Sequence, residues 1–103
     1  MRTPFQPSID SIKLTSVLHA LSDPVRFKIA QCLYNKHELY CATFQVNVAK
    51  STLSHHIKVL RESGVIKVRI DCKQHFYSLR TEDLEALFPG LIKVLFETDT
   101  DRI

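Results

Sequence analysis

Apolar positions along this chain recur with two different periods, and the place where one gives way to the other is its most informative feature. From Ala49 to Arg61, Leu53, His56, Ile57 and Leu60 keep the i, i+3, i+4, i+7 spacing of a helix that packs one side onto a core. Ser51, Ser54, His55 and Lys58 then turn outward, giving short hydrogen-bonding groups and a cation on the opposite face. Gly64, directly after Arg61-Glu62-Ser63, can take the left-handed conformation in which helices end cheaply. Beyond it the period falls to two. Ile66, Val68 and Ile70 alternate with Lys67 and Arg69, and after Asp71-Cys72-Lys73 the run Gln74 to Leu79 has the aromatic and β-favouring content of a partner strand. The pattern predicts a helix followed at once by a β-hairpin.

The flanking segments are helical in pattern. Pro7-Ser8 opens a predicted helix whose stripe is Ile9, Ile12, Leu14, Val17, Leu18 and Leu21. Asp23-Pro24 is a strong start signal, an N-cap acceptor followed by proline at the first helical position, for a helix from Pro24 to about Asn35 with Val25, Ile29, Cys32 and Leu33 inward. A short third helix is predicted over Glu38 to Gln45, with Val46-Asn47-Val48 as the turn before the Ala49–Arg61 helix. After the hairpin, Thr81-Glu82-Asp83 reads as the cap of a final helix. Its apolar positions Leu84, Leu87, Phe88, Leu91, Ile92 and Leu95 stay in phase through Pro89-Gly90, which predicts one kinked helix with a continuous apolar face.

Charge changes the meaning of this pattern. Residues 50–80 hold seven basic residues against Glu62 and Asp71, in a chain whose formal net charge is only +3, so the rest is net acidic. Positive charge is concentrated where an exposed helix face and a hairpin meet, as contact with nucleic-acid phosphate requires. Serine and histidine suit base edges and phosphates in a major groove, and lysine reaches guanine acceptors. The fold class expected is mainly α with a β-hairpin wing, a winged helix-turn-helix of five or so helices. The candidate DNA-binding residues are Lys50, Ser51, Thr52, Ser54, His55, Lys58, Arg61, Arg69 and Lys73.

At 103 residues the chain is expected to be one domain over 1–103. A chain of this size buries only about two-thirds of its unfolded surface, so self-association would add useful burial. Its longest apolar stretch, Leu87 to Phe96, is interrupted and far short of the roughly 20 residues that span a bilayer. Met1 to Pro7 lacks the apolar core of a secretory signal, which predicts a cytoplasmic protein with reduced thiols.

Three phrases in order, Ala20-Leu-Ser-Asp-Pro-Val-Arg26, Ser51-Thr-Leu-Ser-His-His-Ile-Lys-Val-Leu-Arg-Glu-Ser-Gly-Val-Ile66 and Phe76-Tyr-Ser-Leu79, resemble the ArsR/SmtB family of small bacterial winged-helix repressors over roughly residues 14–96. The resemblance implies a homodimer built from the first and last helices, about residues 8–21 and 82–97, bound to an imperfect DNA palindrome and released by an effector. Packing of those terminal stripes on the subunit's own core is the simpler alternative.

Two departures from the family pattern have local consequences. Ala49 stands where similar sequences carry a capping serine, so the helix lacks a side-chain acceptor worth about 1 kcal/mol. The tip Asp71-Cys72-Lys73 has no glycine, which predicts a longer, looser loop from which Arg69 and Lys73 still reach phosphate.

The family's sensor motifs are incomplete here. Arsenite sensors resemble Glu-Leu-Cys-Val-Cys, whereas Glu38-Leu-Tyr-Cys-Ala42 offers one displaced thiol, and no histidine follows His75 to build the last-helix zinc site. No metal or other cofactor is therefore expected, and the effector is left open. The candidate sensor thiols are Cys41, with His37 four residues before it, Cys72 between Asp71 and Lys73, and Cys32, for which a place in the core is the main expectation. The three lack a Cys-x-x-Cys spacing, which argues against a zinc finger or a disulfide scaffold. His55 and His56 diverge by about 100°, one toward DNA and one toward the core, so they do not form a metal pair.

Catalysis has no support, with no glycine-rich phosphate loop and no nucleophile elbow among these residues. The expected partners are double-stranded DNA and a second copy of the chain, without a membrane. The competing function is a winged-helix module that binds proteins rather than specific DNA.

Overall fold

The computed structural model describes residues 4–40, 47–98 and 102. A 3-10 turn at Ile9–Ser11 precedes α1 (Leu14–Leu21), α2 (Pro24–Lys36), β1 (Glu38–Tyr40), α3 (Lys50–Ser63), β2 (Ile66–Asp71), β3 (Gln74–Leu79), α4 (Thr81–Leu87) and α5 (Leu91–Phe96). Among the described residues the chain is thus mainly helical, five α-helices with a β wing, as its pattern predicts. The helix starts and stops follow local chemistry. Asp23 caps α2, its Oδ1 accepting from the Val25 and Arg26 amides at 2.8 and 3.1 Å, with Pro24 at the first helical position. Gly64 ends α3 at φ +90°, and the Val65 amide donates back to the Leu60 carbonyl at 3.0 Å.

The core lies where α1, α2 and α3 meet the sheet. Val17, Ala20, Ile29, Ala30, Leu33, Leu60, Val65 and Ile66 are essentially excluded from solvent there. α2 contributes Phe27 and Ala30 as well as the predicted Ile29 and Leu33, while Val25 and Cys32 are only half-buried. Phe96 closes the outer side of α2, with ring centroids 5.3 Å from Phe27 and 5.5 Å from Tyr34, and the Tyr34 hydroxyl donates to Glu97 at 2.8 Å.

Five local expectations are corrected. The first helix does not run unbroken from Ser8; the chain leaves the 3-10 turn at Ile12, extends through Lys13 and restarts as α1. Its stripe is consequently divided, Ile12, Val17 and Leu21 being buried while Ile9, Leu14 and Leu18 stay 36–44 % exposed. Glu38 to Tyr40, predicted as the start of a helix, pairs antiparallel with β3 in the register Glu38↔Ser78, Leu39↔Tyr77, Tyr40↔Phe76, giving the order β1-β3-β2. The remainder of that predicted helix lies outside the described residues. The tertiary edge offered by β3 overrides a weak local helical preference.

The wing tip is tight rather than loose: Asp71 pairs directly with Gln74, leaving a two-residue turn in which Cys72 and Lys73 take φ of 50° and 69°. Positive φ at both central residues is the geometry that matches the twist of paired strands, adopted here at a conformational cost without glycine. The last predicted helix is two helices. Gly90 at φ +85° separates α4 from α5, because proline removes an amide and the glycine reverses the local backbone sense. The cap is corrected as well, with Arg80 at the N-cap position of α4 and no side-chain cap bond.

Two stability predictions follow from the turns and caps. A Cβ on Gly64 would lie 2.6 and 2.7 Å from Ile12 Cγ1 and Cδ1, whereas one on Gly90 would meet nothing within 4 Å. Gly64→Ala should therefore lower unfolding free energy in urea by about 2–4 kcal/mol, against about 1 kcal/mol for Gly90→Ala, the difference reporting the crowding against Ile12. The hydrogen bond donated by the Arg26 backbone amide, with further help from Val25 and nearby positive charge, holds the Asp23 carboxyl below its ordinary range despite partial desolvation. A depressed folded pKa means that the cap stabilises fully above the unfolded carboxylate pKa of about 4 and is lost as pH falls through the folded value. Asp23→Ala should cost about 1 kcal/mol at neutral pH, and the gap from the parent should close on acidification below that range.

Candidate nucleic-acid interface

α3 separates its two faces as its spacing predicts. Leu53, His56, Ile57 and Leu60 are buried, and Lys50, Ser51, Thr52, Ser54, His55 and Lys58 are exposed. The helix starts at Lys50 with Ala49 in the N-cap position and no side-chain cap bond, so its first amides are not capped from that residue. His55 and His56 part as expected, ring centroids 6.0 Å apart, the first in solvent and the second 9 % exposed. Arg26 ties the inner face to the neighbouring helices: its Nε donates to the Ala20 carbonyl at 2.7 Å and its NH1 lies 3.4 Å from His56 Nδ1. A guanidinium only donates, so this contact is a hydrogen bond when the imidazole proton sits on Nε2.

The arginines assigned to phosphate contact are already engaged. Arg61 Nε donates to the Phe5 carbonyl at 2.9 Å and its side chain is only 16 % exposed. Arg69 forks onto Glu38, with NH2 to Oε1 at 2.8 Å and Nε to Oε2 at 3.2 Å. Its NH1 lies 3.6 Å from Asp71, and its guanidinium sits 4.7 Å over the Phe76 ring. The side-chain hydrogen bond from Arg69 holds the Glu38 carboxyl below its ordinary range and raises Arg69 in turn. Arg80 is buried, donating to Asp83 Oδ2 at 2.8 and 3.0 Å and to the Pro7 carbonyl at 2.7 Å. Among the described residues Lys50, Lys58, Lys67 and Lys73 make no ion pair, and all four are exposed.

The structure thus brings together the outer face of α3 and, beyond it, a wing with Lys67 on β2 and Lys73 at the tip. Lys67 was absent from the predicted contact set although it shares the outer side of β2 with Arg69; its place in the alternation was the available signal. Glu38 was missed because it was read as helical. The carbonyls of Phe5 and Pro7 carry no signature in the sequence.

Of the candidate sensor thiols, Cys72 is exposed at the tip and Cys32 is half-buried rather than a full core residue. Cys41 lies outside the described residues. Groups of three or more potential metal ligands are absent among the described residues, and no helix among them is long and apolar enough to cross a membrane.

Comparison with known proteins agrees with this geometry. Residues 43–68, spanning all of α3 and the first half of β2, match the family model described as bacterial regulatory protein, arsR family. The chain is 35% identical over 91 residues to the uncharacterized HTH-type transcriptional regulator YceK of Bacillus subtilis, covering 85% of this chain and 90% of that one. It is 33% identical over 88 residues to the biofilm growth-associated repressor of Xylella fastidiosa, covering 84% and 75% of the two chains. The crystal structure of the transcriptional repressor BigR from Xylella fastidiosa superposes with a TM-score of 0.60 at 31% identity, over 73% of this chain and 85% of that one. With a relative matched along nine-tenths of its length and the winged-helix architecture in common, the chain belongs to the ArsR family of bacterial transcriptional regulators.

Proposed function

We propose that this protein is a sequence-specific DNA-binding repressor that acts as a homodimer on an imperfect palindrome and leaves it on an effector or thiol signal. The observation that carries the reading is the division of α3: an exposed face of Ser51, Ser54, His55 and Lys58 backed by a fully packed seam. Such a helix is rigid enough to present its outer residues to base edges, and short polar groups there allow close approach. Lys50 and Thr52 at the start of α3 suit phosphate, as do Lys67 and Lys73 on the wing. Arg61 and Arg69 are assigned to holding the interface together, Arg61 through the bond of its Nε to Phe5 and Arg69 through its fork on Glu38 beside Asp71.

The apolar side chains left in solvent support self-association. Leu14 and Leu18 on α1 are 43% and 44% exposed, and Val94 on α5 is 67% exposed. These are the terminal elements through which a two-fold dimer would form, presenting its two α3 helices to half-sites about 34 Å apart or a multiple of it. The repressor named among the relatives supports the sign of regulation. A thiol signal would act most directly at Cys72, which sits beside Lys73 at the wing tip.

The test is a titration of the reduced protein against its own upstream region and an unrelated duplex of equal length near physiological salt. Preference of about a thousandfold or more is expected for the first. Lys58→Ala should weaken both duplexes alike, whereas Ser51→Ala and His55→Ala should narrow the preference by about 1–3 kcal/mol. Weak, equal binding of both duplexes by the parent would instead favour a protein-interaction module.

A second measurement separates stability from function at the tip. Lys73→Gly removes a left-handed non-glycine residue and a wing cation together. Thermal stability should rise by the equivalent of about 1 kcal/mol while affinity for DNA falls and its salt dependence becomes shallower. Loss of stability would contradict the turn geometry, and unchanged affinity would remove Lys73 from the interface.

A further inference from the structure

The order β1-β3-β2 leaves β2 as an edge strand of the sheet, and its free edge is not bare. Val68 directs its amide and its carbonyl away from β3 and toward Gln6: the Val68 amide donates to Gln6 Oε1 at 2.9 Å, and Gln6 Nε2 donates to the Val68 carbonyl at 3.3 Å. One side-chain amide thereby reproduces the pair of bonds that a neighbouring strand would make.

The residues on either side of Gln6 are gripped as well. Arg61 of α3 holds the Phe5 carbonyl at 2.9 Å, and buried Arg80, between β3 and α4, holds the Pro7 carbonyl at 2.7 Å. Five residues after Pro7, Ile12 packs onto Gly64 so closely that no Cβ fits there. The local sequence prepares the segment for this role. Pro4 and Pro7 bracket Phe5-Gln6, proline disfavours helix in the residue before it, and neither proline has an amide to satisfy. The segment is non-helical, and two arginines take the carbonyls of Phe5 and Pro7.

These contacts join three parts that must keep a fixed relation on DNA: the C-terminal end of α3, the edge of the wing, and the chain leading into α1. We infer that residues 4–8 are a latch that sets the wing against α3, with Gln6 as its positioning residue. The latch touches no DNA itself. It fixes where Lys67 and Lys73 stand relative to Ser51, His55 and Lys58, and so decides whether helix and wing engage one duplex together. Because the same segment continues into α1, moving α1 away from α3 pulls on the wing edge directly. The inference rests on the DNA-binding reading above for its consequence, though not for the latch geometry.

The test uses the full chain with Gln6→Ala, which deletes both bonds to Val68, and Gln6→Glu, which keeps an acceptor for the Val68 amide but sets an oxygen against its carbonyl. Amide hydrogen exchange without DNA comes first. Exchange at Val68 should accelerate about tenfold in Gln6→Ala, with amides within α3 unchanged. DNA titrations at several salt concentrations follow. The slope of log affinity against log salt should fall in magnitude by about one or two for Gln6→Ala and Gln6→Glu alike, as the wing lysines lose phosphate, with affinity down about tenfold or more.

A structural role confined to stability would lower the melting temperature without moving that slope. Unchanged Val68 exchange overturns the latch. Faster exchange with parental slope and affinity overturns its role in setting the wing. A parent protein that binds no duplex overturns the DNA-binding reading and the latch's consequence on DNA, while Val68 exchange still decides the latch itself.

Discussion

Gly64 sits at the point through which every functional part of this molecule is connected. It must take a left-handed backbone to end α3 and send the chain into β2, and it must lack a side chain because Ile12 lies against it. The Leu60 carbonyl accepts from the Val65 amide across the same turn, so the angle between helix and wing is set by backbone hydrogen bonds rather than by side-chain packing alone. Val65 and Ile66 then enter the core immediately, fully buried, which pins the root of the wing. A helix presenting Ser51 and His55 and a strand presenting Lys67 therefore share one rigid junction, and the N-terminal segment closes over it.

From Arg26 to Arg80 the described arginines and the lysines around the wing divide by type. Arg26, Arg61, Arg69 and Arg80 each hold a carbonyl or carboxylate within the subunit, while Lys50, Lys58, Lys67 and Lys73 stand in solvent. The physical basis is the guanidinium itself, which is planar and rich in donors and satisfies several fixed acceptors at once, at less desolvation cost than an ammonium. A lysine ammonium keeps its hydration and its reach, which suits a phosphate backbone whose contacts are electrostatic. The positive charge concentrated in residues 50–80 thus contains two populations, arginines bonded to acceptors within the chain and lysines left in solvent.

Exposed apolar side chains follow a similar division. Val17 and Leu21 of α1 close the core, and Leu14 and Leu18 of the same helix do not. A single helix buries one face on its own subunit, so an apolar stripe broader than that face leaves a remainder. On α1 and α5 this remainder, Leu14, Leu18 and Val94, is left to solvent, and it is the surface on which the proposed dimer rests.

What the sequence determined by itself is whatever depends on neighbours a few residues apart. Helical spacing sorted α3 into buried Leu53, His56, Ile57 and Leu60 and exposed Ser51, Ser54, His55 and Lys58. Asp23-Pro24 located the start of α2, Gly64 the end of α3, alternation the first wing strand, and aromatic and β-favouring content the second. Tertiary structure decided the rest because the deciding partners are far away in sequence. Glu38 to Tyr40 became a strand since β3 offered an edge; Cys72 and Lys73 accepted left-handed backbone since the register Asp71↔Gln74 left only two residues for the turn. Arg69 found Glu38 and Arg61 found Phe5, while Gln6 found Val68 across 62 residues. No local window contains both members of such a pair, so periodicity can say that a side chain is exposed or buried but not which distant carbonyl or carboxylate has claimed its donors.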